Sequence, residues 1–109
     1  MVNITPIEVQ GYRFTATHVA LPKTNLLVVS NQVGYIMCGA LDITLLRETL
    51  ASRGIIAARA VGVKTMQELL DGKVESCTQA AEALGITPGM AVTEALARIG
   101  AAGSNNEQQ

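Results

Sequence analysis

The side chains with the most chemistry to offer lie in two short stretches, Gly34-Tyr35-Ile36-Met37-Cys38-Gly39-Ala40-Leu41-Asp42 and Arg59-Ala60-Val61-Gly62-Val63-Lys64. Cys38 ends an apolar run and is followed by a glycine, which lets a backbone come close to a ligand. Asp42 then stands where a helix can begin. A thiol near a helix N-terminus loses its proton more readily, whereas the Asp42 carboxylate in the same turn works against that ionisation. Arg59 is a lone guanidinium inside the apolar segment Ile55–Val61. A cation in such a setting needs a carboxylate or a bound anion. If the two stretches are neighbouring parallel strands, Cys38, Gly39, Asp42, Arg59 and Lys64 frame a small polar pocket beyond their carboxyl ends. That pocket is expected to bind a small anionic molecule. The enzymatic version makes Cys38 a nucleophile, with Arg59 or Lys64 holding the substrate.

The plainer readings are structural. Most free cysteines behave as small buried hydrophobes, and Arg59 can form a salt bridge with Asp42, Glu75 or a neighbouring subunit. His18 is the only histidine and lies on a different strand, where packing or an interface accounts for it. With no second histidine and the two cysteines far apart, no metal site and no cofactor are expected.

The elements that position these residues follow from periodicity. Val2–Gln10 reads as a strand in which Pro6 marks a bulge or an edge, because proline cannot donate to a ladder. Arg13–Leu21 is a second strand, with Phe14, Ala16, His18 and Ala20 on one face and Thr15, Thr17, Val19 and Leu21 on the other. Neither face is cleanly polar, so Val2–Leu21 is expected to be sheltered by other copies of the chain. Leu26–Val29 and Tyr35–Cys38 are continuously apolar and continue an antiparallel meander. Asp42 opens a helix through Ile43, Leu46 and Leu50. Gly54 ends that helix, and Ile55–Val61 follows as a parallel strand. Thr65-Met66-Gln67-Glu68 and Ser76-Cys77-Thr78-Gln79 both have capping-box spacing and each starts a short helix. Val74–Glu75 between them is a candidate edge strand. Val92, Ala95, Leu96 and Ile99 form the apolar stripe of a last helix. Residues 100–109 read as a disordered tail. The fold class is α+β: N-terminal antiparallel strands, one strand–helix–strand unit and three short C-terminal helices on a mixed sheet, in a single domain over residues 1–99.

Composition narrows the function classes. Of the 109 residues 49% are hydrophobic and only 16% charged, more apolar surface than so small a domain can bury alone. The net charge of −1 and the 3% of aromatics, with no Trp, argue against nucleic acid and against an acidic membrane surface. Thr78–Met90 followed by Val92–Ile99 imitates a helix-turn-helix, but its reading helix carries Arg98 alone beside Glu94; DNA binding is a second alternative. The start of the chain lacks the pattern of a signal peptide, and two unpaired cysteines fit a reducing, cytoplasmic setting.

Gly34–Asp42, Arg59–Thr65, Glu68-Leu69-Leu70, Leu84-Gly85-Ile86, Gly89-Met90 and Glu94-Ala95-Leu96 together resemble the YunC-like family of small bacterial and archaeal proteins. The resemblance spans nearly all of residues 1–99. It implies an α+β domain whose N-terminal strands mediate tetramer formation, and it brings no activity, substrate or catalytic residue.

Overall fold

A computed structural model of the chain describes residues 2–22, 24–38 and 54–107. Six strands among them, β1 (Val2–Val9), β2 (Tyr12–Leu21), β3 (Thr24–Ser30), β4 (Gly34–Met37), β5 (Ile56–Arg59) and β6 (Ser76–Cys77), form one sheet in the order β1-β2-β3-β4-β5-β6. The β4–β5 step is parallel and the others are antiparallel. Three helices follow: α1 (Met66–Asp71), α2 (Gln79–Ala83) and α3 (Val92–Glu107). The α+β class and the meander are as expected from the sequence. The helix expected from Asp42 to Gly54 lies almost wholly outside the described residues.

Local chemistry explains the turns. Gln10 and Gly11 both have positive φ, 54° and 83°, the two-residue turn whose twist suits a hairpin. Asn31 shapes the β3–β4 turn: its Oδ1 accepts from Val33 N at 2.8 Å and Gly34 N at 3.0 Å. β1 pairs with β2 without interruption through Pro6, so Pro6 marks an edge and not a bulge.

Register and alternation place Phe14, Ala16, Leu27, Val29, Ile36, Cys38, Ala58 and Cys77 on one face of the sheet. The helices cover that face. Leu69 of α1, Ala81 of α2 and the stripe Val92, Ala95, Leu96 and Ile99 of α3 are all fully buried in one core with these strand residues. The opposite face carries Val2, Ile4, Thr17, Val19, Leu26, Val28, Met37 and Arg59.

Three boundaries differ from the sequence reading. The edge strand is Ser76–Cys77, not Val74–Glu75, and α2 is capped by Thr78, not Ser76. The buried Thr78 hydroxyl accounts for both shifts. It donates to Ile55 O at 2.6 Å and accepts from Ala57 N at 3.2 Å and Ala81 N at 3.3 Å. Tied to β5 in this way, Thr78 starts the helix two residues later and leaves Ser76–Cys77 to pair with Ala58–Arg59. The third difference is at the C-terminus, where the helix does not stop before Gly100 but runs to Glu107. Gly100 lies against the Tyr12 side chain and Gly103 against Asn31 and Gln32. Glycine serves here for close approach between helix and sheet and does not break the helix. The capping box at Thr65 stands as expected: its Oγ1 accepts from Glu68 N at 3.1 Å, and Glu68 Oε1 accepts from Thr65 N at 3.1 Å.

The helix-turn-helix likeness dissolves in this packing. α2 has five residues, and α3 lays its apolar stripe on the sheet. Arg98, the only basic residue of α3, donates to Leu84 O at 3.3 Å and lies 3.9 Å from Glu94. It caps the end of α2, and α3 has no second cation for a phosphate backbone.

Candidate functional site

The carboxyl end of the parallel pair β4–β5 is where ligands settle in sheets of this kind. Cys38 sits there, directly after β4. Its N–H donates to Leu27 O and the Ala60 N–H donates to Met37 O, both at 3.0 Å. These bonds extend the ladder by one residue and hold Cys38 on the helix-covered face, where it is 5% exposed. Its thiol donates to Asn25 O at 3.7 Å.

Asn25 connects three partners. Its Nδ2 donates to Lys64 O at 3.4 Å, and its Oδ1 lies 3.1 Å from His18 Nε2. A main-chain carbonyl can only accept, so the amide nitrogen must face Lys64 and the amide oxygen must face His18. His18 therefore carries its hydrogen on Nε2 when neutral, and Nδ1 holds the basic lone pair. His18 pairs with Leu27, which in turn lies opposite Cys38. Imidazole and thiol thus share one face and one row of the sheet, and both lean on Asn25.

Arg59 is in register with Met37. Alternation then sends its side chain to the opposite face from Cys38. Its Nη2 donates to both carboxylate oxygens of Glu75, at 2.8 and 2.9 Å. That is one of the salt bridges weighed from the sequence. Side-chain exposures of 27% and 36% leave the pair open to solvent, where ion pairs contribute little. The hydrogen bonds from Arg59 hold the Glu75 carboxyl below its ordinary value of 4.5 against a smaller opposing effect of burial. A carboxyl lowered in the folded state stabilises the fold above its unfolded value and loses that contribution as pH falls through the folded one. The expected result is a steeper acid limb of stability below pH 4.5 in the native chain than in Glu75→Gln, measured by urea unfolding across pH and weakened by added salt. Identical acid limbs would remove the pair from the account.

Of the five expected site residues, Cys38 and Lys64 meet through Asn25, and Arg59 projects from the other face. Gly39 and Asp42 lie outside the described residues. The sequence reading missed Asn25, which falls between the expected strands Arg13–Leu21 and Leu26–Val29, and the partnership of His18. The face of β2 that carries His18 was legible in the alternation, but its row relative to Cys38 depends on registers that no periodicity reports. Among the described residues no three His, Cys, Asp or Glu side chains come together as metal ligands. A cleft of about 370 Å³ lined by Tyr12, Arg13, Asn31, Gln32, Gly100 and Gly103 lies at the other end of the sheet, away from Cys38.

Fold and site together define a small α+β protein with a mixed sheet, one parallel step and a thiol at the end of that step. The family model for a domain of unknown function, DUF1805, matches residues 37–99. The "Uncharacterized protein YunC" of Bacillus subtilis (strain 168) is 59% identical over 99 residues, covering 91% of this chain and 98% of that one. The chain belongs to this YunC-like, DUF1805-containing family. A crystal structure of a protein of unknown function, TA1206 from Thermoplasma acidophilum, has a similar fold with TM-score 0.81 and 32% identity, covering 92% of this chain and 94% of that chain. No helix among the described residues is long and apolar enough to cross a membrane.

Proposed function

We propose that the chain works as a cytosolic homo-oligomer, a tetramer as the family resemblance implies, assembled through the outer face of the β1–β2 ribbon. The observation that carries this reading is the exposure of Ile4, 67%, and Val2, 57%, on the face opposite the helices, with Leu21 at 43% beside them. Val19, Leu26, Val28 and Met37 continue the same face, half-buried. Burying a full aliphatic side chain is worth roughly 1.5–3 kcal/mol, so a second copy on this surface gains from several residues at once.

Hydrogen-bond phase favours contact through the face over addition at the edge. The bonds Asn31 N to Gly34 O and Cys38 N to Leu27 O commit Leu27 and Val29 to β4. Alternation then commits Val28 and Ser30 to β2, and turns Thr15 and Thr17 toward β3. Their partners Ile4 and Pro6 therefore direct their main-chain groups outward, along the edge of β1. Pro6 has no N–H to offer there, which interrupts any strand added to that edge.

A small anionic ligand near Cys38 and Arg59 has less support. The two residues occupy opposite faces and Glu75 already engages the guanidinium, which leaves, among the described residues, Lys64, whose main-chain oxygen meets Asn25.

Sedimentation equilibrium tests the assembly. The native chain is expected at a multiple of 11.4 kDa, and Ile4→Glu is expected to weaken association about thirtyfold, the equivalent of roughly 2 kcal/mol. A native monomer at micromolar concentration, or an Ile4→Glu variant as tightly assembled as the native chain, would overturn the reading.

A further inference from the structure

We propose that the cleft at the hairpin end of the sheet binds a small molecule through its oxyanion, a carboxylate or a phosphate, with Arg13 as the binding cation. The cleft has a structural cause. β2 begins at Tyr12, but its pairing with β3 begins only where Thr15 lies opposite Ser30. Beyond Ser30 the chain turns into β4, so residues 12–14 run on with no β3 residue beside them. That leaves an opening of about 370 Å³ between the β1–β2 turn, the β3–β4 turn and α3, within the roughly 300–1,000 Å³ of small-molecule sites. Alternation along β2 turns the main-chain N–H and C=O of Arg13, like those of Thr15, toward this opening.

Its lining favours an anion. The residues around it include Arg13, Asn31 and Gln32 and no carboxylate. Among the described residues Arg59 is held by Glu75, and Arg98 by Leu84 O and Glu94, whereas Arg13 enters no ion pair and no side-chain hydrogen bond. Asn31 adds a donor. Its Oδ1 accepts from Val33 N and Gly34 N, which fixes the amide so that Nδ2 donates to Ile99 O at 3.4 Å and keeps a second N–H for a ligand. The wall on α3 is bare backbone: a Cβ at Gly103 would come within 3.1 Å of both Asn31 Nδ2 and Gln32 Nε2 and would cover the two amides. A second recess of about 520 Å³ shares Arg13, Asn31 and Gln32 and adds Thr15 and Ser30, room for the rest of a molecule whose oxyanion sits on the guanidinium.

The opposing charge is Glu8, which is in register with Arg13 and lines a third recess with it. Residues directly opposite on an antiparallel pair share a face, so this carboxylate weakens the hold of Arg13 on an anion. The site is separate from the surface proposed for assembly. Ile4 and Glu8 are four residues apart on β1, about 13 Å along the strand, and a contact centred on Ile4 leaves Arg13 open.

NMR titration of the isotope-labelled full chain with malonate and, separately, with inorganic phosphate tests the proposal, at about pH 7 and constant ionic strength so that screening is held fixed. Saturable shifts are expected at Arg13 Nε–H and at the Asn31 and Gly103 amides, with a Kd of about 1 mM for at least one anion. A response to malonate alone assigns a carboxylate ligand, one to phosphate alone a phosphate ester, and one to both a site that takes either. Arg13→Gln is expected to weaken binding at least about tenfold, and Glu8→Gln to tighten it about threefold. Both side chains are exposed, so neither variant tests the fold instead of the site. The absence of a saturable shift with either anion up to about 20 mM overturns the proposal, as does an affinity indifferent to Arg13→Gln or to Glu8→Gln. A monomeric result in sedimentation leaves it standing.

Discussion

Gly34→Ala is expected to destabilise the fold by about 3 kcal/mol and to do so at the parallel step of the sheet. Gly34 is fully enclosed at the start of β4, in register with Ile56 of β5. A Cβ built on it would stand 2.5 Å from Ile56 O, 2.8 Å from Ile56 Cγ2 and 2.9 Å from Ile56 Cβ. Two of these atoms belong to, or sit directly on, the neighbouring backbone, so no rotamer change relieves the clash. Overpacking costs about 1–3 kcal/mol when side chains can shift, and here a strand must shift, which puts the cost at the upper end. The entropy that alanine saves over glycine returns under about 1 kcal/mol. The displaced strand also disturbs the Asn31 turn, because Gly34 N is one of the two donors to Asn31 Oδ1. In urea the midpoint is expected to fall by roughly 1–2 M with the slope unchanged. A midpoint equal to that of the native chain would mean that β4 and β5 are not packed as closely as described. A preserved midpoint would also weaken the placement of Cys38, since β4 delivers it.

What the sequence made legible, and what it hid, divides along one physical line. Short-range patterns were readable. Alternation identified β2 and its two faces, the Thr65–Glu68 box located α1, and the spacing of Val92, Ala95, Leu96 and Ile99 gave the buried stripe of α3. Quantities that depend on the registration of distant segments were not. Whether Arg59 shares a face with Cys38 turns on a one-residue choice of register between β4 and β5, and a slip of one residue inverts the answer. The Ser76 and Thr78 caps have equally good local chemistry, and only the contact of Thr78 with Ile55 and Ala57 separates them. The candidate site suffered most, because Asn25, lying between two expected strands, gains its role from three residues at sequence separations of 7, 13 and 39. Apolar surplus, by contrast, is a bulk property. It pointed to Val2–Leu21 as a segment needing cover, whereas the particular face that leaves Val2 and Ile4 exposed emerges only once the helices are placed on the other.

Gly100 is the sharpest case, because the sequence reading and the structure assign it opposite roles, and a double-mutant cycle separates them. If Gly100 only ended the helix, alanine there would be neutral or would stabilise by up to about 1 kcal/mol through helix propensity. In the structure a Cβ at this position would collide with Tyr12 at Cγ and would lie 2.6 Å from Tyr12 Cβ. That Cβ is rigidly attached to β2 and cannot swing aside. Gly100→Ala is therefore expected to cost about 2 kcal/mol in the native background, the steric term exceeding the propensity gain. Tyr12→Gly removes both the ring and the Cβ and is expected to be destabilising by itself, since the ring packs against the core. In that background the sign should reverse, with Gly100→Ala recovering about 1 kcal/mol. The resulting coupling of about 3 kcal/mol lies at the upper end of what contacting pairs show. A coupling near zero would mean that α3 does not press on β2 at Gly100. The continuation of the helix to Glu107 would then lose its physical cause, because this close approach is what outweighs glycine's preference for ending a helix.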